Sequence, residues 1–413
     1  MKVIVIGGGF AGLEVAKRLR KSSFDVLLID KQNHHQFQPL FYQVATAGLD
    51  PGSISFPFRK IFQRTPNVDF CLAEVIGIDA SNQLLKTSVC DFHYDYLVIA
   101  SGCSTNYFGN ENLRTHAYSM KSTLEAIDIR NNILLTFEEI AAKGWETEKG
   151  LDNIVIVGAG PTGVELAGAF AEMKRNILPR DYPHIDFSKL NILLLDGSKN
   201  TLNGLSDEAK AASRKYLDEL GVKVMTEVVV SDYDGQTLLL KNGEMIQTAN
   251  VIWAAGVTGN IITGLSNALI NRNRYEVNRF NAVKGYTNIF AVGDIAYMET
   301  PAYPGGHPQV ANVALNQGKL LARNLLALQH NKPMREYEYK DLGSMATVGK
   351  HKAVVDLPFV KFQGRMAWFT WMFLHLMLIL NVRNKLIIFI NWAWSYITND
   401  SALRLILKAR KKL

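Results

Sequence analysis

Two glycine-rich motifs carry the clearest chemistry in this sequence. The motifs are Gly7, Gly9 and Gly12 in the first copy, and Gly158, Gly160 and Gly163 in the second. Their G-x-G-x-x-G spacing lets the backbone approach a pyrophosphate closely, and the N-terminus of the next helix stabilises its negative charge. The following strand ends at an acid in each copy, Asp30 or Asp196, which can accept hydrogen bonds from ribose hydroxyls. Each motif therefore predicts a dinucleotide site.

The segments around the motifs supply the elements that such sites need. Buried strands are predicted at Lys2–Ile6 and Phe24–Ile29 around the first motif, and at Asn153–Val157 and Ile192–Leu195 around the second. A single motif of this kind could be a structural glycine turn. Two copies with the same flanking strands predict an α/β fold with two Rossmann-like domains, and an oxidoreductase that uses two dinucleotides.

A third glycine and acid pair follows the apolar run Ile289–Val292. Gly293 allows close backbone approach there, and Asp294 can accept a hydrogen bond from a polyol hydroxyl. The alternative is an ordinary strand-end turn with a capping aspartate. Two short strands are predicted further along the chain, at Ser344–Val348 and Ala353–Leu357.

Composition limits the remaining choices. The chain has 413 residues, of which 48% are hydrophobic and 20% charged, and these values exclude disorder and a polytopic membrane protein. The three cysteines, Cys71, Cys90 and Cys103, are too far apart for a C-x-x-C redox pair or a zinc site, so no metal site is predicted. Because the chain opens on a strand instead of a signal segment, a cytoplasmic location is predicted.

The positive charge is concentrated in the segment Phe359–Leu413. This segment has nine lysines and arginines against one acid, so it accounts for the net charge of +7 of the whole chain. It also contains four of the six tryptophans. Basic and aromatic residues together favour a membrane surface over nucleic acid as the partner.

The apolar run Ala367–Leu380 has 14 residues, whereas a helix that spans a bilayer needs about 20. A helix in the membrane interface is therefore predicted, with tryptophans at headgroup depth and basic residues facing anionic lipid. These residues are Trp368, Trp371, Trp392 and Trp394, and Arg383, Lys385 and Lys408–Lys412. A buried core helix or a dimer interface is the alternative. A last helix is predicted at Ser401–Leu413, where Leu and Ile alternate with Arg and Lys.

The motifs together resemble the two-dinucleotide-binding-domain flavoproteins, and among them the type II NADH:quinone oxidoreductases, which are single-subunit NADH dehydrogenases that pump no protons. The resemblance covers essentially the whole chain. Its most specific stretches are VIGGGFAG at Val5–Gly12, FQPLFYQVAT at Phe37–Thr46, VGAGPTGVELAG at Val157–Gly168, WAAGV at Trp253–Val257, FAVGDIA at Phe290–Ala296 and NWAWSYI at Asn391–Ile397.

By this resemblance the first copy holds FAD without a covalent bond, and the second holds NADH. The residues expected to bind FAD are Gly7, Gly9, Gly12, Asp30, Ala45, Thr46, Val75, Gly102, Gly293, Asp294 and Gln317. Those expected to bind NADH are Gly158, Gly160, Gly163, Asp196, Ala255 and Gly256. Asp196 would repel a 2′-phosphate, which favours NADH over NADPH.

The resemblance also gives Glu165 a catalytic role, either orienting nicotinamide or relaying a proton to reduced quinone. The alternative is a carboxylate that the helix dipole merely stabilises. The absence of a C-x-x-C pair implies a quinone acceptor, whose path the family lines with A-Q-x-A-x-Q. Here Ala311–Asn316 reads ANVALN, so Asn312 and Asn316 replace both glutamines. The retained alanines of this quinone segment are Ala311 and Ala314.

Lys350 is the second catalytic candidate, with a solvated loop lysine as the alternative. Three regions are expected: an FAD domain from residues 1–110 and 270–340, an NADH domain from 111–269, and a membrane-docking region from 341–413. The resemblance implies a peripheral enzyme on the cytoplasmic face of the bacterial inner membrane, with homodimerisation left open. A reductase of ferredoxin or rubredoxin and a flavin-stabilised signalling protein are the alternative functions.

Overall fold

The computed structural model describes residues 1–145, 150–400 and 403–407. Contacts divide the chain into two compact units, each made of three segments. Unit 1 consists of Met1–Gln36, Phe56–Ser104 and Val257–Asp341, and unit 2 of Phe37–Ser55, Thr105–Gly256 and Leu342–Leu413. The division into three domains expected from the sequence stays a prediction.

Unit 1 is built on a parallel sheet of five strands. In spatial order the strands are Ile289–Ala291, Tyr96–Ile99, Lys2–Ile6, Asp25–Asp30 and Val68–Leu72. Most of their side chains are buried, as expected for a parallel sheet that is covered on both faces, and the edge strand Val68–Leu72 is the most exposed. The helices Phe10–Leu19 and Ala311–Gln329 pack against each other on one face.

The rest of unit 1 consists of short elements around this sheet. An antiparallel sheet joins Val75–Asp79, Leu84–Thr87 and Phe92–His93, and another small sheet joins Ile270–Asn271, Arg274–Glu276 and Ala296–Tyr297. A one-turn helix covers Phe58–Ile61. Further short strands in the chain are His34–Gln36, Ser55–Pro57, Cys103–Thr105 and Val257–Gly259.

Unit 2 repeats the parallel arrangement with four strands. Their order is Lys223–Met225, Asn191–Leu195, Asn153–Val157 and Asn250–Trp253. The longer helices are Thr123–Lys143, Pro161–Asn176 and Asp207–Glu219, and the short ones are Phe41–Ala45, Glu111–His116 and Leu178–Asp181. An antiparallel sheet of Val230–Tyr233, Thr237–Leu240 and Met245–Gln247 completes this part. The predicted α/β fold with two Rossmann-like domains is confirmed.

The C-terminal part of unit 2 begins with an antiparallel sheet. Its strands are Ser344–Thr347, Ala353–Asp356 and Lys361–Gly364, the last of which the sequence analysis did not predict. Two helices follow, Arg365–Leu378 and Val382–Thr398. Within the described ranges, no helix is both long and apolar enough to cross a bilayer.

Two expectations about this part are wrong. Trp371 and Trp392 are only 1% and 8% exposed, because their rings pack inside unit 2, so they do not lie at headgroup depth. Residues 403–407 are not helical, which contradicts the middle of the predicted last helix. The rest of that predicted helix, including Lys408–Lys412, lies outside the described residues.

Candidate active site

The first glycine loop, in unit 1, has a backbone that only glycine fits. Gly7 has a φ of +94°, and a Cβ there would lie 2.3 Å from the carbonyl oxygen of Ala100. Gly9 immediately precedes the helix Phe10–Leu19, and a Cβ on Gly9 would meet nothing within 4 Å. The helix N-terminus therefore opens onto free space, where its amide groups can receive a phosphate.

The acid Asp30 is bonded back to this loop. Its Oδ2 accepts a hydrogen bond of 2.6 Å from the backbone N–H of Gly8, and its Oδ1 accepts one of 2.8 Å from Gln32. Burial raises the pKa of the Asp30 carboxyl, although both hydrogen bonds oppose that rise. The carboxylate is thus held at the strand end with lone pairs left for ribose hydroxyls.

A buried amide without a partner supports a bound cofactor in unit 1. Gln317 is fully buried, and its Oε1 accepts a 2.7 Å hydrogen bond from the backbone N–H of Gly293. Its Nε2 has no hydrogen-bond partner in the described chain. A buried donor left unpaired costs about 1–3 kcal/mol, so this site fits a group that brings an acceptor, as a flavin does.

The other residues expected to bind FAD are placed as follows. A Cβ on Gly102 would meet nothing within 4 Å, and Asp294 Oδ2 accepts a hydrogen bond of 2.9 Å from the Cys103 thiol. Val75 begins the strand Val75–Asp79 of unit 1. Ala45 and Thr46 are both buried, but they belong to unit 2, at the end of the short helix Phe41–Ala45.

The second glycine loop, in unit 2, has the same construction as the first. Gly158 has a φ of +107°, and a Cβ there would lie 2.6 Å from the backbone of Ala254. Gly160 precedes the helix Pro161–Asn176 and has open space in front of it. Asp196 Oδ2 accepts a hydrogen bond of 2.5 Å from the backbone N–H of Ala159. This loop therefore offers a second site for a dinucleotide.

The strand next to this loop ends at Trp253, whose Nε1 donates a 2.8 Å hydrogen bond to the Asn106 carbonyl. That bond anchors the turn that follows, which contains Ala255 and Gly256. Gly256 has a φ of +140°, a backbone conformation that L side chains rarely adopt. The expected NADH-binding residues thus follow the ends of adjacent parallel strands of unit 2, and Gly163 lies in the first turn of the helix Pro161–Asn176.

Glu165 lies inside unit 2 and not on a solvated helix face. Its side chain is 8% exposed, and burial raises the pKa of its carboxyl from 4.5 to about 8. The backbone N–H of Thr347 donates to Oε1 over 3.4 Å and opposes the rise, as does the indole of Trp371. That indole N–H itself has no partner at ordinary hydrogen-bond distance among the described residues. Glu165 is therefore mostly protonated at neutral pH, and not a carboxylate stabilised by the helix dipole.

The two asparagines of the quinone segment bond to each other. They lie one turn apart near the start of the helix Ala311–Gln329, and Asn316 Nδ2 donates to Asn312 Oδ1 over 2.7 Å. Asn312 Nδ2 in turn donates to the Lys340 carbonyl over 3.3 Å. Asn316 Nδ2 keeps one N–H for another acceptor, whereas the Asn312 amide also bonds to the Tyr339 hydroxyl. Ala311 is partly exposed at the helix start, and Ala314 is buried.

Lys350 has defined partners, so the alternative of a freely solvated lysine is wrong. Its ammonium donates to the Ser395 carbonyl and, over 2.6 Å, to Asn399 Oδ1. It also lies 5.7 Å from the centroid of the Tyr396 ring. A cation at this place stabilises the C-terminal end of the helix Val382–Thr398. A catalytic role for Lys350 stays a prediction.

The sequence analysis missed a group of hydrogen-bonded residues that leads to Glu165. It assigned no role to Tyr42, Gln43 or Thr347, although Tyr42 and Gln43 lie inside the quoted stretch Phe37–Thr46. The available signal was the pair of polar residues in the apolar helix Phe41–Ala45, which has no other polar side chain.

The fold and these sites define the class of the protein. A glycine loop in each unit and a buried amide suited to a flavin are the features of a flavin-dependent oxidoreductase of pyridine nucleotides. Residues 1–318 match the family described as pyridine nucleotide-disulphide oxidoreductase. Residues 342–399 match the NDH2 C-terminal domain.

Curated relatives give the narrower family. The type II NADH:quinone oxidoreductase Ndh of Mycobacterium tuberculosis is 34% identical, over 96% of this chain and 88% of its own length. The type II NADH:quinone oxidoreductase of Staphylococcus aureus is 27% identical, over 86% of this chain and 89% of its own. The chain belongs to the type II NADH:quinone oxidoreductases.

Solved structures share the fold. NDH2 of Plasmodium falciparum in complex with NADH superposes with a TM-score of 0.89 at 20% identity, over 98% of this chain and 99% of that one. The sulfide:quinone oxidoreductase of Aquifex aeolicus gives a TM-score of 0.75 at 20% identity, over 93% of this chain and 92% of that one. The expected class of fold is thus confirmed at full length.

Proposed function

We propose that this chain oxidises NADH and reduces a membrane quinone. The observation that carries the proposal is the repeated loop: each unit has a glycine turn, an open helix N-terminus and an acid bonded back to the turn. Two such sites suit two dinucleotides. Cys71, Cys90 and Cys103 are too far apart in sequence for a C-x-x-C redox pair, which supports direct reduction of a quinone in place of a disulfide. The relatives that are named for this reaction cover the chain almost completely.

FAD, when bound in unit 1, supplies the two-electron carrier between nicotinamide and quinone. The loop amides and the helix N-terminus after Gly9 receive its pyrophosphate, Asp30 accepts from its ribose, and the free Nε2 of Gln317 donates to it. We assign the rest of its binding to the other expected residues. These are Gly7, Gly12, Ala45, Thr46, Val75, Gly102, Gly293 and Asp294.

NADH is assigned to unit 2. The loop of Gly158, Gly160 and Gly163 receives its pyrophosphate, and Asp196 accepts hydrogen bonds from the adenosine ribose. Ala255 and Gly256 provide a close backbone wall for the nicotinamide half. Since a carboxylate at the ribose repels a 2′-phosphate, the site favours NADH over NADPH.

Quinone reduction also needs protons. Conversion of a quinone to a quinol consumes two electrons and two protons, of which NADH supplies both electrons and one proton equivalent. We assign the delivery of a proton to Glu165, whose carboxyl is buried and holds its proton at neutral pH. Solvent then restores the proton to Glu165. Ala311, Asn312, Ala314 and Asn316 are proposed to line the quinone, and the second amide N–H of Asn316 offers a donor to a quinone carbonyl.

The C-terminal helices are proposed to rest on lipid at the cytoplasmic face of a bacterial inner membrane. They expose large apolar side chains that a protein normally buries. Prominent among them are Phe373, Met377, Leu386, Ile390, Trp394 and Ile397. Arg383 is exposed at the start of the second helix, where it can face anionic headgroups. Docking by exposed side chains suits a peripheral enzyme.

Steady-state turnover tests the acceptor. The full-length protein, loaded with FAD, is given NADH and either a short-chain naphthoquinone or oxidised ferredoxin. We expect rapid NADH consumption with the quinone and none above background with ferredoxin. Turnover with ferredoxin and not with quinones would contradict the proposal and support a protein acceptor. The match of residues 342–399 to the NDH2 C-terminal domain favours the quinone.

A further inference from the structure

A run of hydrogen bonds leads away from the helix Val382–Thr398. Trp392 Nε1 donates to Gln43 Oε1 over 2.7 Å, and Gln43 Nε2 donates to the Tyr42 hydroxyl over 2.9 Å. An indole N–H can only donate, so it fixes which end of the Gln43 amide accepts. The amide nitrogen must then face Tyr42. The orientation of Gln43 is therefore set by a residue of the C-terminal helix.

The same logic orients the next two residues. The Tyr42 oxygen lies 3.0 Å from Thr347 Oγ1. The buried Tyr42 hydroxyl accepts from Gln43, and Thr347 Oγ1 is its one other partner among the described residues, so we direct the Tyr42 proton at Thr347. Thr347 borders Glu165 and donates its backbone N–H to that carboxyl. The side-chain hydrogen bonds thus run one way, from Trp392 to the Thr347 hydroxyl, and the backbone N–H of the same threonine donates to Glu165.

Burial keeps this order intact. Tyr42 and Thr347 are 6% and 3% exposed, and the polarity of hydrogen bonds matters most where water does not compete. Burial and the nearby Glu165 raise the pKa of the Tyr42 hydroxyl, so Tyr42 remains a neutral donor across the physiological range.

Few other titratable groups lie close to Glu165. Tyr42 faces it from the helix Phe41–Ala45, and the strand Ser344–Thr347 contributes no titratable side chain. From the helix Arg365–Leu378, His375 stacks on Trp371 with ring centroids 4.0 Å apart. Burial lowers the pKa of His375 to about 4, so the ring is neutral near pH 7. Burial is the largest influence on the Glu165 carboxyl, and the neutral donors around it act in the opposite direction.

We propose that Trp392, Gln43, Tyr42 and Thr347 form a one-way donor chain, in which Tyr42 is a positioning residue for Glu165. The chain connects the C-terminal helix to the proton-donating carboxyl. It moves no proton itself, since the Gln43 amide interrupts any relay. The proposal rests on the role of Glu165 in the proposed function, which it deepens by naming what sets the protonation of that residue.

The test compares pH profiles of quinone reduction by the holoenzyme. Tyr42→Phe removes a donor whose positive end points towards Glu165, so the carboxylate loses stabilisation and its pKa rises. The limb of the profile at which activity falls with rising pH should move up by about 0.5–1 pH unit. Trp392→Phe frees Gln43 to turn over, and a smaller shift in the same direction is expected.

Two further variants separate the chain from a general packing effect. The double variant of Tyr42 and Trp392 should shift the limb no further than Tyr42→Phe alone, because both changes interrupt one chain. Thr347→Val removes the acceptor while keeping the side-chain shape, and it should shift the limb as Tyr42→Phe does. It therefore tests the chain even if the Tyr42→Phe protein folds poorly. The control is Tyr233→Phe, which deletes another buried hydroxyl of unit 2, one that donates to the carbonyls of Gly235 and Thr248.

Contrary outcomes are distinct. Variants of Tyr42 and Thr347 with the wild-type pH profile, or a double variant whose shift is the sum of the single ones, would overturn the donor chain. The donor chain would also be overturned if Tyr233→Phe moved the falling limb of the pH profile as far as Tyr42→Phe does. Failure of NADH to bleach wild-type flavin would instead overturn the proposed function itself. This bleaching is measured before any variant is compared.

Discussion

The burial of Glu165 makes its replacement by glutamine the most informative single change. Glu165→Gln keeps the side-chain shape and an oxygen that can accept from the Thr347 N–H. It removes the proton that the carboxyl can deliver. Loss of a positioned general acid typically costs about 10²–10⁴-fold in rate, and because water can replace it in part, we expect a loss of about 10²-fold in quinone reduction. Reduction of the flavin by NADH should change little.

The effect of the same variant on the free energy of unfolding can be calculated from the pKa of Glu165. The Glu165 carboxyl has a pKa of about 8 in the folded chain, against an ordinary value of 4.5. The unfolded chain therefore releases this proton first, and folding loses stability as pH rises from about 4.5 to about 8. One pKa unit corresponds to about 1.4 kcal/mol, so the loss at pH 7 is about 3 kcal/mol. Glu165→Gln avoids it.

Two assays check this prediction. Stopped-flow absorbance separates flavin bleaching by NADH from its recovery with quinone, and thermal melting is followed from pH 5 to pH 8. The melting temperature of Glu165→Gln should exceed that of wild type by a margin that grows with pH. Wild-type rates of recovery in the variant, or a margin that is constant with pH, would refute the assignment of a buried proton to Glu165.

Three further predictions concern the nucleotide sites and the docking surface. Asp196→Arg should lower kcat/KM for NADH and raise it for NADPH, by about tenfold or more in their ratio; an unchanged ratio would remove Asp196 from the ribose site. Gln317→Ala should release flavin, with Kd raised by about tenfold in equilibrium dialysis; full retention would contradict its role. Phe373→Glu with Ile397→Glu should weaken binding to anionic vesicles in co-sedimentation, whereas Met245→Glu, similarly exposed but on the strand Met245–Gln247, should not.

The two nucleotide sites could be predicted from the sequence because each is built from residues that are close together along the chain. Each needs a strand, a glycine turn and a helix within about 30 residues, and the acid ends the next strand. Asp30 and Asp196 therefore lie beside the loops that the spacing indicated. The strand boundaries differ from the predicted ones by about one residue.

The surroundings of Glu165 could not be predicted, because they are assembled from segments that are far apart in the sequence. Tyr42 and Thr347 are 305 positions apart, and no periodicity connects them. Trp371 and Trp392 were assigned to lipid since an aromatic, basic segment is typical of membrane interfaces. Which face of such a helix turns inwards depends on the partner it packs against, and here the short helix Phe41–Ala45 provides part of that partner.

The burial of these tryptophans also affects how docking is tested. Removing Phe359–Leu413 would strip unit 2 of Trp371 and Trp392, and would expose the packed residues beneath them. Single changes at exposed positions avoid that loss, because the side chains they alter face away from the core.

The central claim is that electrons pass from NADH to a quinone through bound flavin. It is tested most directly by anaerobic single turnover of the full-length holoenzyme. One equivalent of NADH should bleach the visible absorbance of the flavin, and one equivalent of a naphthoquinone or benzoquinone should restore it while quinol forms. Flavin that NADH leaves oxidised, or reduced flavin that both quinones leave bleached, would contradict the account.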